Sequence, residues 1–135
     1  MKLKGIKILL VEDNPGDVLL LQEALKLPET GEFDLILEEN LEGALKRLSS
    51  EQIDIVLLDL FLPDAHGLEA LAQVYQADSK TPIIALTGFY DERTTLHALK
   101  LGAQDYISKD RLDGKKLQKL LRYYAGRERA GLNTN

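Results

Sequence analysis

The sequence predicts an α/β domain in which a parallel sheet is covered on both faces by helices. Short apolar runs alternate with longer segments of helical period, the pattern of repeated strand-helix units. Three of those runs are almost continuously apolar, which suits central strands buried on both sides. The chain has 135 residues and no cysteine, enough for one hydrophobic core and without a disulfide framework or thiolate metal site.

The strands are expected at Ile6–Val11, Phe33–Glu38, Asp54–Leu58, Pro82–Thr87 and Gln104–Ser108. The first, third and fourth are the continuous ones and belong at the centre. The second alternates and belongs nearer an edge. The first helix is expected over Pro15–Leu27, because proline suits a first helical turn and Val18, Leu19, Leu21 and Leu25 form a stripe. Glu42–Leu48 follows with Leu41, Ala44, Leu45 and Leu48, and Leu68–Tyr75 with Leu68, Leu71, Ala72 and Tyr75. The fourth helix, Asp91–Leu101, carries Leu96, Ala98 and Leu99, and the fifth, Leu112–Tyr124, carries Leu117, Leu120, Leu121 and Tyr124. Residues 1–125 therefore read as one domain. Residues 126–135 lose the apolar stripe and read as a frayed tail or the start of a linker.

Charge and hydropathy exclude several classes. The net charge of -5 argues against a large nucleic-acid footprint, so no direct nucleic-acid binding is expected. Lys115, Lys116, Lys119, Arg122, Arg127 and Arg129 make the C-terminal end basic, which reads as a solvated helix face. No apolar run approaches the roughly 20 residues that span a bilayer, and no signal peptide is readable. The expectation is a soluble, cytoplasmic protein without a membrane partner. His66 and His97 lack ligand spacing, and Asn14-Pro15-Gly16-Asp17 lacks the lysine of a phosphate loop, so that segment reads as a turn into the first helix.

Parallel strand-helix units gather the C-terminal ends of their strands on one rim, where such folds bind ligands. Glu12 and Asp13 follow the first strand, Asp59 the third, Thr87 ends the fourth and Lys109 follows the fifth. Three carboxylates about 5 Å apart repel by on the order of 3 kcal/mol per pair at an effective dielectric near 20, so a cation must compensate them. Mg2+ fits, being a hard ion that takes oxygen ligands and shares its positions with a phosphate. Asp59, rigid at its base and expected to be wet at its tip, is the candidate nucleophile for a phosphoryl group. Lys109 can neutralise that group and the Thr87 hydroxyl can donate to it.

The stretches "ILLVEDNPGD", "DIVLLDLFLPDAHGLEAL", "PIIALTG" and "LGAQDYISKD" resemble the receiver domain of two-component response regulators, over roughly residues 5 to 125. The resemblance implies a flavodoxin-like, doubly wound (βα)5 fold with a five-stranded parallel sheet in the order 2-1-3-4-5. By the family's pattern Glu12, Asp13, Asp59 and the backbone carbonyl of Phe61 hold the metal, Asp13 more directly than Glu12. Asp59 matches the phosphoacceptor, Thr87 and Lys109 the phosphate-contacting hydroxyl and lysine, and Tyr106 the aromatic switch. The implied partner is a histidine kinase or histidine phosphotransfer protein. The implied output is a change in the face made by helix four, strand five and helix five, which also allows a homodimer through that face.

The sequence departs from the family in three ways. Asp110 follows Lys109 where many receivers have proline, which implies a different loop path. Phe61 and Phe89 stand two residues beyond Asp59 and Thr87, where large apolar side chains are expected to shield an acyl phosphate from water. No output domain is readable after Tyr124, so the chain reads either as a free-standing regulator or as the first part of a longer one. Two other functions compete. A haloacid-dehalogenase-type phosphatase would carry a second aspartate two residues after the nucleophile, where Phe61 stands. A silent receiver-like module would have lost part of the acidic pair, acceptor, hydroxyl or lysine, and all are present.

Overall fold

The structure is a computed structural model and describes residues 5–25, 32–88 and 90–130, with side chains described as far as 126. Strands β1 (Ile6–Val11), β2 (Phe33–Glu38), β3 (Ile55–Asp59), β4 (Ile83–Thr87) and β5 (Asp105–Ser108) form one parallel sheet in the order β2-β1-β3-β4-β5. Helices α1 (Pro15–Leu25), α2 (Leu41–Ser50), α3 (Gly67–Ala77), α4 (Glu92–Lys100) and α5 (Gly114–Ala130) cover it. The doubly wound flavodoxin-like architecture read from the sequence is the observed one. Lys26 and Leu27, the expected end of the first helix, lie outside the described residues.

Alternation along each strand divides the core in two. Ile8, Leu10, Ile55, Leu57, Ile84 and Leu86 face Leu21 and Leu25 of α1 and Leu117 and Leu121 of α5. Leu9, Val11, Val56, Leu58, Ile83 and Ala85 face Leu41 and Ala44 of α2, Ala70, Leu71 and Val74 of α3, and Ala98 of α4. Because side chains leave a strand on alternate faces, a strand covered on both sides must be apolar at every position. β1, β3 and β4 are nearly so in the sequence. β2, none of whose residues is fully buried, sits at the edge.

Three helical stripes are rotated from their expected positions. In α1, Val18, Leu21 and Leu25 pack inward at the three- and four-residue spacing of one helix face, while Leu19 is 54 % exposed. In α4 the sheet receives Thr95 and Ala98, small residues that let the helix approach closely, and Leu96 and Leu99 face outward. In α3 the buried set is Ala70, Leu71 and Val74, with Tyr75 exposed over Gly102. Gly102 has φ of 124°, and a Cβ there would strike the Tyr75 ring. A run rich in leucine leaves the choice of inward face open, and packing against the sheet settles it.

The C-terminal helix also differs from its expected bounds. A 3-10 turn over Lys109–Arg111 precedes it, and Asp113 accepts from the N–H groups of Lys115 and Lys116 at its start. α5 then runs past Tyr124 to Ala130, since no proline interrupts it and backbone bonding needs no apolar stripe. Arg122 of the basic face pairs with Glu32 and lies over the Phe33 ring, while Lys115, Lys116 and Lys119 are exposed. Among the described residues no helix is long and apolar enough to cross a membrane.

Candidate functional site

Sheet register assembles the rim. Val11 pairs with Leu58, so the next residues, Glu12 and Asp59, emerge side by side. Asp59 pairs with Leu86, and Thr87 with Ser108, so Thr87 and Lys109 follow on the neighbouring strands. Parity then sorts the side chains. Glu12, Asp59 and Lys109 each stand two residues beyond Leu10, Leu57 and Ile107, all of which face the α1/α5 layer. Thr87 shares the parity of Ala85, which faces the other layer, where Tyr106 packs.

The carboxylate oxygens of Glu12, Asp13 and Asp59 come within 4.8 Å of one another. Glu12 is buried, Asp13 exposed and Asp59 only 3 % exposed. The tip of Asp59 is therefore drier than expected, because the chain closes around it. The Phe61 N–H donates to Asp59 Oδ1 at 3.1 Å, and Lys109 lies across the other side. Burial, and then the adjoining Glu12 carboxyl, push the Asp59 carboxyl up to about 7. A carboxyl in that condition would gain most from a cation.

Lys109 supplies one positive charge. Its Nζ donates to Glu12 Oε1 at 3.0 Å and to Asp17 Oδ2 at 2.7 Å, and stands 3.8 Å from Asp59 Oδ2. Burial works to lower the pKa of Lys109, but the surrounding carboxylates of Asp17, Glu12 and Asp59 outweigh it and raise it. One ammonium among four carboxylates leaves an excess of negative charge. The three clustered carboxylates therefore fit a hard divalent cation by both spacing and donor type.

The Thr87 hydroxyl donates to the Ile107 carbonyl at 3.5 Å and is buried. Tyr106 is half-buried, with its ring 5.5 Å from that of Tyr90. Phe61 opens a short antiparallel hairpin, Phe61–Leu62 with Ala65–His66, and is 73 % exposed. Phe89 lies outside the described residues. At Asp110, where many receivers carry proline, the backbone N–H donates to the Gly88 carbonyl at 3.2 Å, a bond that proline could not make.

Sequence reasoning missed Asp17, Asn14 and Asp64. The Asn14 side chain accepts from the Asp17 N–H at 3.0 Å, and the Asn14 N–H donates to Glu12 Oε2 at 3.2 Å. The signal was a capping residue followed three positions later by an acid, but nothing local says that the acid reaches Lys109. Asp64, in the hairpin loop, accepts from the Leu41 N–H at 2.9 Å and the Glu42 N–H at 3.2 Å, tying that loop to the start of α2.

A doubly wound sheet with an acidic cluster, a hydroxyl and a lysine on one rim defines a class of phosphoryl-binding α/β domains. The family model for the response regulator receiver domain matches residues 8–122, and the chain belongs to that family, the receiver domains of two-component signalling. It is 38 % identical over 103 residues to the alkaline phosphatase synthesis transcriptional regulatory protein PhoP of Bacillus subtilis (strain 168), covering 76 % of this chain and 42 % of that protein. The chain spans less than half the length of curated relatives such as this one. Among solved structures it resembles the signal receiver domain of an HD domain-containing protein from Pseudomonas fluorescens Pf-5, with a TM-score of 0.84 and 26 % identity over 97 % of this chain and 94 % of that one. It also resembles the receiver domain of a sensor histidine kinase from Pseudomonas aeruginosa PAO1 described with magnesium coordinated in its active-site cleft. There the TM-score is 0.75 and the identity 28 %, over 90 % of this chain and 98 % of that one.

Proposed function

We propose that this receiver accepts a phosphoryl group on Asp59 from a histidine kinase or a histidine phosphotransfer protein. The reading rests on one observation: Glu12, Asp13 and Asp59 converge on the rim while Lys109 reaches the same point from the fifth strand. A carboxylate oxygen of Asp59 attacks phosphorus, the phosphorus–nitrogen bond of the donor phosphohistidine breaks, and the imidazole nitrogen leaves with its electron pair. The product is an acyl phosphate. Glu12, Asp13, Asp59 and the Phe61 carbonyl would hold Mg2+, which when bound supplies charge neutralisation for the phosphoryl oxygens.

Lys109 then pairs with a phosphoryl oxygen, and the Thr87 hydroxyl turns from the Ile107 carbonyl to donate to another. Tyr106, which lies on the same side of the sheet as Thr87, moves into the space that the threonine leaves. The face of α4, β5 and α5 changes with it, and that face signals by protein contact, including contact with a second copy. Domain 1–125 carries this activity and the receiver turns over nothing but its own phosphoryl group.

The test is incubation with acetyl phosphate and magnesium, read by intact mass. One added phosphoryl group, lost in Asp59→Asn, is the expected result. Turnover of added phosphoesters would favour a phosphatase, and an unchanged mass a silent module.

A further inference from the structure

The Lys109 ammonium has three N–H donors and three carboxylates to serve. The shortest contact is with Asp17, at 2.7 Å, the next with Glu12, at 3.0 Å, and the acceptor Asp59 comes last at 3.8 Å, outside hydrogen-bond distance. Asp17 is no strand-end residue but the third residue of α1. It is fixed from both directions, since its N–H is capped by the Asn14 side chain and the Asn14 N–H is bound to Glu12. An acid in a first helical turn gains from the helix dipole without any lysine. The Asp17 carboxylate is instead paired with an ammonium that is 11 % exposed and lies 92 residues further along the chain.

We infer that Asp17 is a positioning residue that holds Lys109 back from Asp59 until a phosphoryl oxygen competes for the ammonium. The inference rests on the phosphoacceptor reading and adds a control to it. Lys109 must give up or share its shortest partner to reach the acyl phosphate, so Asp17 weights the equilibrium toward the unphosphorylated form. Without that carboxylate the ammonium has only Glu12 and Asp59 to serve, and an anion on Asp59 meets it at once.

Beryllofluoride, which mimics the acyl phosphate, provides the measurement, with the full chain, magnesium and about 0.3 M salt to screen remote charges. Fluorine NMR reads bound beryllofluoride directly and urea unfolding reads stability. Asp17→Asn is expected to bind beryllofluoride about fivefold more tightly, as befits loss of a partly buried ion pair. Asp17→Glu should return toward wild type. Glu39→Gln, which removes an exposed acid beyond β2 that makes none of these contacts, should leave affinity unchanged.

Equal or weaker binding by Asp17→Asn overturns the inference, whatever its stability, because a merely structural role predicts that sign. Equal tightening in Glu39→Gln also overturns it, as a general charge effect. Wild type that binds beryllofluoride, and Asp59→Asn that does not, uphold the phosphoacceptor reading separately. Failure of wild type to bind sinks both.

Discussion

Lys109 stands 3.8 Å from Asp59, within ion-pair reach and beyond hydrogen-bond reach. The ammonium thus lowers the cost of ionising Asp59 without quenching it, while its hydrogen bonds serve Glu12 and Asp17. Lys109→Gln removes both effects. Glu12, whose side chain is completely buried, loses its cation, and breaking such a pair typically costs about 3 kcal/mol. The Asp59 carboxyl should move further above its value of about 7, because the Lys109 charge is one of the influences lowering it. Urea unfolding should show the loss in full at pH 8 and a smaller loss at pH 5, where Asp59 is already neutral. An equal loss at both would separate Lys109 from Asp59.

Asp59 carries a pH dependence of its own. Its carboxyl is held up to about 7 in the folded chain, first by burial and then by Glu12, against an ordinary 3.8. Between those values the folded state keeps a proton that the unfolded state has lost, so stability falls as pH rises through this window. The contribution is complete below about pH 4 and gone above about pH 7. Asp59→Asn does not titrate, so in metal-free solution it should flatten the slope and exceed wild type at pH 8, by at most about 4 kcal/mol. Magnesium should narrow or reverse that gap, because the ionised aspartate is then the better ligand. Identical slopes from pH 4 to 8 in the two proteins would show that Asp59 ionises normally.

The two preceding effects were only partly legible in the sequence. That Glu12, Asp59, Thr87 and Lys109 share a rim follows from each standing at the end of a strand, since parallel strands place those ends together. Which face each side chain takes needs the register, and Val11 opposite Leu58 is a pairing between distant segments. Asp17 shows the limit most clearly: its local pattern reads as a helix start, and its partner lies 92 residues away. The exposed Leu19, Leu96 and Leu99 fail for another reason. Helical spacing identifies candidates for a buried face, but where leucines surround the axis only the opposing sheet selects among them.

The loop after β3 should couple stability to metal affinity. A Cβ at Gly67 would collide with the carbonyl of Leu60, the residue before Phe61, and Asp64 anchors the same loop to the N–H groups of Leu41 and Glu42. Gly67→Ala must shift backbone and should destabilise by about 2 kcal/mol. Asp64→Ala leaves two helix N-terminal donors without their carboxylate and should cost about 1 kcal/mol. Because Phe61 lies in this loop, both variants should also bind magnesium several-fold more weakly by calorimetry. Weaker folding with unchanged magnesium affinity would remove the Phe61 carbonyl from the ligand set.

Phe61 presents the last prediction. Its N–H is committed to Asp59 while the residue is 73 % exposed, an arrangement that gains little from burial. The ring, two residues beyond the acceptor in the chain, is instead expected to deny water a position from which to attack the acyl phosphate. Phe61→Asn replaces it with a group able to hydrogen-bond that water, and should speed loss of phosphoryl from Asp59 by about three- to tenfold, or roughly 1 kcal/mol in the barrier. Stability should change by less than about 0.5 kcal/mol, since the ring packs on little. Phosphate release after removal of acetyl phosphate measures the rate. A rate no faster than that of wild type would mean that the ring shields nothing and that the phosphoryl lifetime is set elsewhere in the site.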